Sequence, residues 1–197
     1  MGEKLALKQF LHTPTEDGFR PLFGYLYPRL HRFYLLQGLE TMLAEDLAQE
    51  VLLIVYRKAA ELRQPELFYG WLFQIARHEM ARYWRRKTKL ELVSFELLSA
   101  ELTARLTTEL PLAEQSRLAN WLAQLEPVER EIVSLRFIDE LSYDEIALAL
   151  AIPIGTVKSR LFHVRKKLAA IIEGEFHRDR TTLNQTLGLL EKQREKG

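Results

Sequence analysis

Cations crowd the stretch from Arg77 to Lys89, where Arg77, Arg82, Arg85, Arg86, Lys87 and Lys89 stand against the single acid Glu79 and interleave with Tyr83 and Trp84. Cations set among aromatic rings suit an unpaired nucleic-acid strand, because the rings offer π-faces for stacking while the cations track the backbone. A second basic run lies between Ile146 and Ile172, where Lys158, Arg160, Arg165, Lys166 and Lys167 occur without an acid. Acids fill the interval between the two: from Leu92 to Glu114, Glu96, Glu101, Glu109 and Glu114 oppose Arg105. Ahead of both runs, the window between Arg32 and Arg57 holds no basic residue but contains Glu40, Glu45, Asp46 and Glu50. The formal net charge is only +1, so a general polycation is excluded and any nucleic-acid surface must come from this local segregation. A solvated helix face usually mixes signs, and two clusters of one sign in the same chain argue against ordinary surface.

Composition narrows the function class. The chain has 197 residues, is 47% hydrophobic and 28% charged, and contains no cysteine, which excludes disulfide frameworks and cysteine-ligated metal centres. Apolar runs such as Leu67 to Ala76 fall well short of the roughly 20 residues that span a bilayer. The N-terminus mixes Glu3, Lys4 and Lys8 with short apolar pieces. No membrane insertion and no signal peptide are expected, and the expected compartment is cytoplasmic. Neither a Walker loop, a nucleophile elbow nor a paired metal motif occurs, and Glu45, Asp46 and Glu50 lack a histidine or further carboxylate at a metal-binding spacing. The chain is therefore expected to be no enzyme, with no catalytic residue, no metal site and no cofactor.

These side chains must be positioned by helices. Glycine and proline are sparse, at 9 and 7 residues, and apolar residues recur at three and four positions rather than two. An all-α fold is expected, as two small helical domains joined by a flexible linker. Helices are expected from about Phe19 to Gln37, Glu40 to Arg63, Phe68 to Lys89, Leu112 to Leu125, Pro127 to Phe137, Ser142 to Leu150 and Ile154 to Ile172. The domain boundaries follow: residues 1–90, a linker at 91–111, a second domain at 112–175 and a tail at 176–197, which carries a one-sided Leu183, Leu187, Leu190 stripe suited to a short docking helix or a frayed end.

In the second domain, Ser142, Tyr143, Asp144 and Glu145 form a capping box that starts a short helix, and Pro153, Ile154, Gly155 and Thr156 restart the chain into another. Helical periodicity places Val157, Leu161, Val164 and Leu168 on one side of that second helix and Ser159, Arg160, His163, Lys166 and Lys167 on the other. Arginine for guanine edges, serine and histidine for polar edges and lysine for phosphates are what major-groove readout requires. In the first domain, Asp46, Gln49 and Glu50 share one face of a helix whose opposite side carries Leu43, Leu47, Val51 and Ile54.

The stretch Leu125 to Val133, then Leu141 to Ala147, then Gly155-Thr156-Val157-Lys158-Ser159-Arg160-Leu161 closely resembles region 4 of extracytoplasmic-function sigma factors. Tyr27-Pro28-Arg29-Leu30, Ala44 to Val51 and Trp71 to His78 are similar to the core of sigma region 2. Glu140 stands where many members have glycine, Pro153 is an uncommon turn residue, and His78 replaces a usual asparagine. The resemblance implies an alternative bacterial sigma factor whose partners are core RNA polymerase, promoter DNA and an anti-sigma factor. It implies polymerase docking through Asp46, Gln49 and Glu50. It assigns the minus-ten element to Arg77, His78, Arg82, Tyr83, Trp84, Arg85, Arg86 and Lys87. It assigns the minus-thirty-five element to Thr156, Lys158, Ser159, Arg160, His163, Lys166 and Lys167. By the same resemblance, the loop before Phe68 and Trp71 captures a minus-ten base, whereas Phe68, Trp71, Phe73 and Ile75 are read mostly as core. The competing reading is a conventional dimeric helix-turn-helix regulator that acts without polymerase. It explains the C-terminal half and leaves the N-terminal motifs unused, and it should retard duplex DNA alone.

Overall fold

The computed structural model describes residues 2–87 and 120–194, with the side chains of Lys87 and of residues 175–194 left aside. The linker at 91–111, Lys89 and most of the Leu112 to Leu125 helix expected from the sequence lie outside the described residues. Among the described residues the regular structure is helical throughout. In chain order the helices are α1 (Glu3–His12), α2 (Glu16–Leu36), α3 (Thr41–Lys58), α4 (Phe68–Lys87), α5 (Pro127–Val133), α6 (Tyr143–Leu150) and α7 (Ile154–Arg194). Single 3-10 turns at Ala59–Glu61 and Pro65–Leu67 carry the chain from α3 to α4. No single described helix is long and apolar enough to cross a membrane.

The N-terminal helices assemble because each carries apolar residues at helical spacing. Thr15 caps α2 by accepting from the Gly18 amide at 3.3 Å, and Glu16 and Asp17 in its first turn suit the positive end of the helix dipole. Leu22, Leu26, Leu30 and Phe33 then face inward and are fully buried. In α3 the buried stripe is Ala44, Leu47, Ala48, Val51, Leu52 and Val55, rotated slightly from the expected one, with Leu43 and Ile54 half-buried at its edges. Phe68, Leu72, Phe73 and Ala76 bring α4 onto the same core. The Tyr34 hydroxyl donates to the Ala76 carbonyl at 3.0 Å, and burial, with lesser contributions from Glu79 and Glu50, holds its pKa well above the usual tyrosine value.

Helix α1 was not anticipated. It buries Ala6 and Phe10, four residues apart, and carries Glu3 in its first turn and His12 in its last, so the signal was present in a ten-residue stretch too short to show a sustained stripe. Three other boundaries differ from expectation. The expected Glu40 to Arg63 helix ends as an α-helix at Lys58, the expected Pro127 to Phe137 helix widens into a π-helical turn at Ser134–Ile138, and α7 continues beyond Ile172 to Arg194.

By compactness the chain divides into Met1–Leu161 and Phe162–Gly197, a division that falls inside α7. In the first unit α4 packs along α6, so both groups of helices belong to one compact body.

Candidate polymerase and nucleic-acid interface

The acidic face of α3 is built as the periodicity demands. Asp46, Gln49 and Glu50 are all exposed, beside the buried Leu47, Ala48 and Val51. Glu50 lies 3.8 Å from the guanidinium of Arg82 on α4, and Arg82 also pairs with the buried Glu79 at 3.0 Å. A shallow cavity of about 230 Å³ lies here, lined by Leu43, Asp46, Glu50, Arg82, Tyr83 and Arg86 among others. The residues expected for polymerase docking and for strand binding therefore meet at a shared edge.

Along α4, His78, Trp84, Arg85 and Arg86 are exposed, Arg77, Arg82 and Tyr83 are half-buried, and Lys87 closes the helix. Tyr83 and Trp84 stand edge to face with ring centroids 5.4 Å apart. A larger open groove of about 1010 Å³ runs past Gln74, Arg77, His78, Trp84 and Arg85 and reaches Glu131 and Ala149. Phe68 and Phe73 are core residues as expected, whereas Trp71 and Ile75 are half-buried.

Arg77 is the exception to a surface-facing basic strip. Its Nε donates to Glu131 Oε1 at 2.6 Å and its Nη1 to the Ala149 carbonyl at 3.1 Å. Two further arginines, absent from the expected site, do the same from α2: Arg32 donates to Asp139 Oδ1 at 2.9 Å, and Arg29 donates to the Asp139 carbonyl at 3.1 Å. Arg29 also pairs with Glu3 at 3.3 Å and lies over the Tyr69 ring at 4.8 Å, while the Tyr69 hydroxyl donates to Glu3 at 2.8 Å. Burial pushes the Asp139 carboxyl up to about 6 against the opposing pull of Arg32 and Arg29, and it raises Glu131 against that of Arg77. No periodicity in the sequence pointed to Asp139, Glu131, Arg29 or Arg32.

The helix-turn-helix is formed by α6 and the start of α7. Ser142 accepts from the Glu145 amide at 3.2 Å while Glu145 Oε2 accepts from the Ser142 amide at 2.9 Å, the reciprocal capping box expected from the sequence. Two positions need the left-handed backbone conformation: Glu140 (φ 59) and Ala151 (φ 52), which ends α6. Beyond the turn, Val157, Leu161 and Val164 are buried, while Lys158, Ser159, Arg160, His163 and Lys166 are exposed and Thr156, Lys167 and Leu168 are half-buried. Ser159 donates back to the Thr156 carbonyl at 3.1 Å, and Lys166 sits 4.6 Å above the exposed Phe162 ring.

Known proteins carry the same two halves. Residues 22–90 match the family described as Sigma-70 region 2, and residues 115–168 match that described as Sigma-70, region 4. A chain with both regions is of the sigma-70 class. It is 31% identical over 135 residues to the "ECF RNA polymerase sigma-E factor" of Escherichia coli K12, covering 62% of this chain and 70% of that protein. It is 29% identical over 149 residues to the "ECF RNA polymerase sigma factor RpoE" of Cereibacter sphaeroides, covering 74% and 81%. The fold is shared with CnrH, solved in complex with the cytosolic domain of CnrY, at a TM-score of 0.60 and 21% identity over 87% of this chain and 97% of that one. It is also shared with RpoE of Bartonella quintana, solved with the anti-sigma factor NepR, at 0.62 and 22% over 81% and 98%. The chain belongs to the extracytoplasmic-function sigma factors and acts as an alternative sigma factor in transcription initiation. That family is not an enzyme family.

Proposed function

We propose a division of labour among three surfaces. The exposed acidic face of α3, with Asp46, Gln49 and Glu50, docks on basic residues of core RNA polymerase. The C-terminal part of α4, with His78, Arg82, Tyr83, Trp84, Arg85, Arg86 and Lys87, holds the melted minus-ten strand, and Arg77 joins it when released from Glu131. The outward side of α7, with Lys158, Ser159, Arg160, His163 and Lys166 flanked by Thr156 and Lys167, reads the minus-thirty-five duplex. The chain supplies promoter choice and no bond-making chemistry, works in the cytoplasm with core polymerase and promoter DNA, and is held in check by an anti-sigma factor.

The observation that carries this reading is the separation of signs by helix. Acids are exposed on α3, cations and rings on α4, and a helix-turn-helix presents cations opposite its buried Val157, Leu161 and Val164. A dimeric regulator would leave the α3 face without a use. Run-off transcription with core polymerase on genomic fragments tests the reading: specific transcripts that need both this chain and core polymerase are expected. Symmetric footprints by the chain alone, with no transcript, would favour the dimeric regulator.

A further inference from the structure

The side of α3 that carries Asp46 and Gln49 also carries apolar side chains that the fold leaves outside its core. Met42 is 78% exposed, more than any other large apolar residue described, and Leu53 and Tyr56 are exposed on the same helix. At about 100° per residue, Met42, Asp46, Gln49, Leu53 and Tyr56 fall within about 80° of one another, and the buried Ala44, Leu47, Val51 and Val55 lie across the helix from them. Of these apolar groups Met42 alone offers a thioether, and the chain has no cysteine to compete for an oxidant. Oxidation of such sulfurs follows their exposure. The other described methionine, Met80 on α4, is half-buried.

We propose that Met42 is an oxidant-sensitive contact of the polymerase-docking face: as a thioether it packs against an apolar part of core polymerase beside Asp46, and as a sulfoxide it holds polymerase less tightly. The proposal rests on the assignment of α3 to polymerase docking. An unbranched, polarizable side chain adapts to a partner surface, and an apolar anchor among charged neighbours is the usual anatomy of an interface. Burying one methionine side chain is worth about a factor of ten or more in affinity. Its oxidation should leave the fold intact, because a side chain this exposed holds nothing in the core.

The co-reactant is a peroxide. A lone pair of the Met42 sulfur attacks one peroxide oxygen, the S–O bond forms as the O–O bond breaks, and the departing hydroxide takes the proton of the transferred oxygen to leave as water. The sulfur is oxidised by two electrons and the peroxide is reduced by two. The product is polar and chiral where the thioether was apolar, so the anchor is lost while the charges of Asp46 and Glu50 are unchanged. Methionine sulfoxide reductases reverse the step, one enzyme for each sulfoxide epimer, which makes the contact restorable.

The test treats the full chain alone with hydrogen peroxide, removes the oxidant, and titrates the labelled protein with untreated core polymerase by fluorescence anisotropy. Peptide mass spectrometry gives sulfoxide occupancy at each methionine, and thermal melts verify the fold. Met42 should fill before Met80, Kd should rise about tenfold in step with Met42 occupancy, and the two reductases should restore it. Each variant is compared with itself before and after peroxide: Met42→Leu should lose the response, and Met80→Leu should keep it. Full oxidation of Met42 with unchanged Kd would overturn the proposal, and so would a Met42→Leu chain that responds as the wild type does. Glu50→Arg docking at wild-type affinity would sink the underlying reading of α3, a failure separable from the others because no peroxide enters it.

Discussion

Reversing Glu50 should separate polymerase affinity from folding stability by orders of magnitude. In the free protein Glu50 is 53% exposed and, among the described residues, its ion pair is to Arg82, itself 41% exposed, at 3.8 Å. Two unit charges at that separation attract by about 1 kcal/mol in a water-like dielectric, and screening and side-chain entropy reduce the yield of such exposed pairs to a few tenths of a kcal/mol. Glu50→Arg loses that attraction and sets two guanidinium groups near each other, so destabilisation should stay below about 1 kcal/mol. At a docked interface the same carboxylate would be desolvated against a polymerase cation, where disrupting a paired charge costs about 2–5 kcal/mol, roughly a 30-fold to several-thousand-fold loss of affinity. Thermal melts and fluorescence anisotropy of labelled protein titrated with core polymerase measure the two quantities on the same samples. Asp46→Arg, on the same exposed face, should behave alike. Wild-type affinity in either variant would refute the assignment of this face, and a large loss of stability accompanying the loss of binding would refute the reasoning about exposure.

Replacing the exposed Arg85 and Arg86 with alanine should weaken open-complex formation and its salt dependence more than the initial binding of holoenzyme, and permanganate footprints across the start site would read this. Arg160→Ala should relax preference at one or two adjacent base pairs of the minus-thirty-five element by about 1–3 kcal/mol, whereas the half-buried Lys167, if replaced by alanine, should weaken all sequences alike; a saturating library of upstream elements separates the outcomes. Glu140→Gly and Ala151→Gly should each raise stability by about 0.5–1 kcal/mol in denaturant titrations, since relief of about 1–2 kcal/mol of left-handed strain exceeds the added entropy of an unfolded glycine. Asp139 binds its proton more tightly when buried than when exposed, with its carboxyl near 6 against an ordinary 3.8. Its packed arrangement is therefore most stable below pH 4 and loses on the order of 3 kcal/mol as pH rises from there through about 6, roughly half of it between pH 5 and pH 7, a difference between melts that Asp139→Asn should not show.

The helix-turn-helix and its outward chemistry were legible in the sequence because they are local. A capping box links residues three apart, and helical periodicity alone sorts Val157 and Leu161 from Ser159 and Arg160, so both survive whatever the rest of the chain does. The exposed acidic face of α3 follows from the same arithmetic. Tertiary structure decided which of the cations are occupied. Arg77 looks like its neighbour Arg82 in the sequence, yet Arg82 pairs with Glu79 on its own helix and Glu50 on α3, whereas Arg77 is bound to Glu131, 54 residues away, and Arg32 to Asp139, 107 residues away. No spacing rule reaches across such separations, because the pairing depends on how α4 meets α6 and not on either helix alone. The glycine that permits the meeting is also silent in the sequence: Gly70 reads as an ordinary weak point in a helix until Glu145 is found within van der Waals reach of the side chain it lacks.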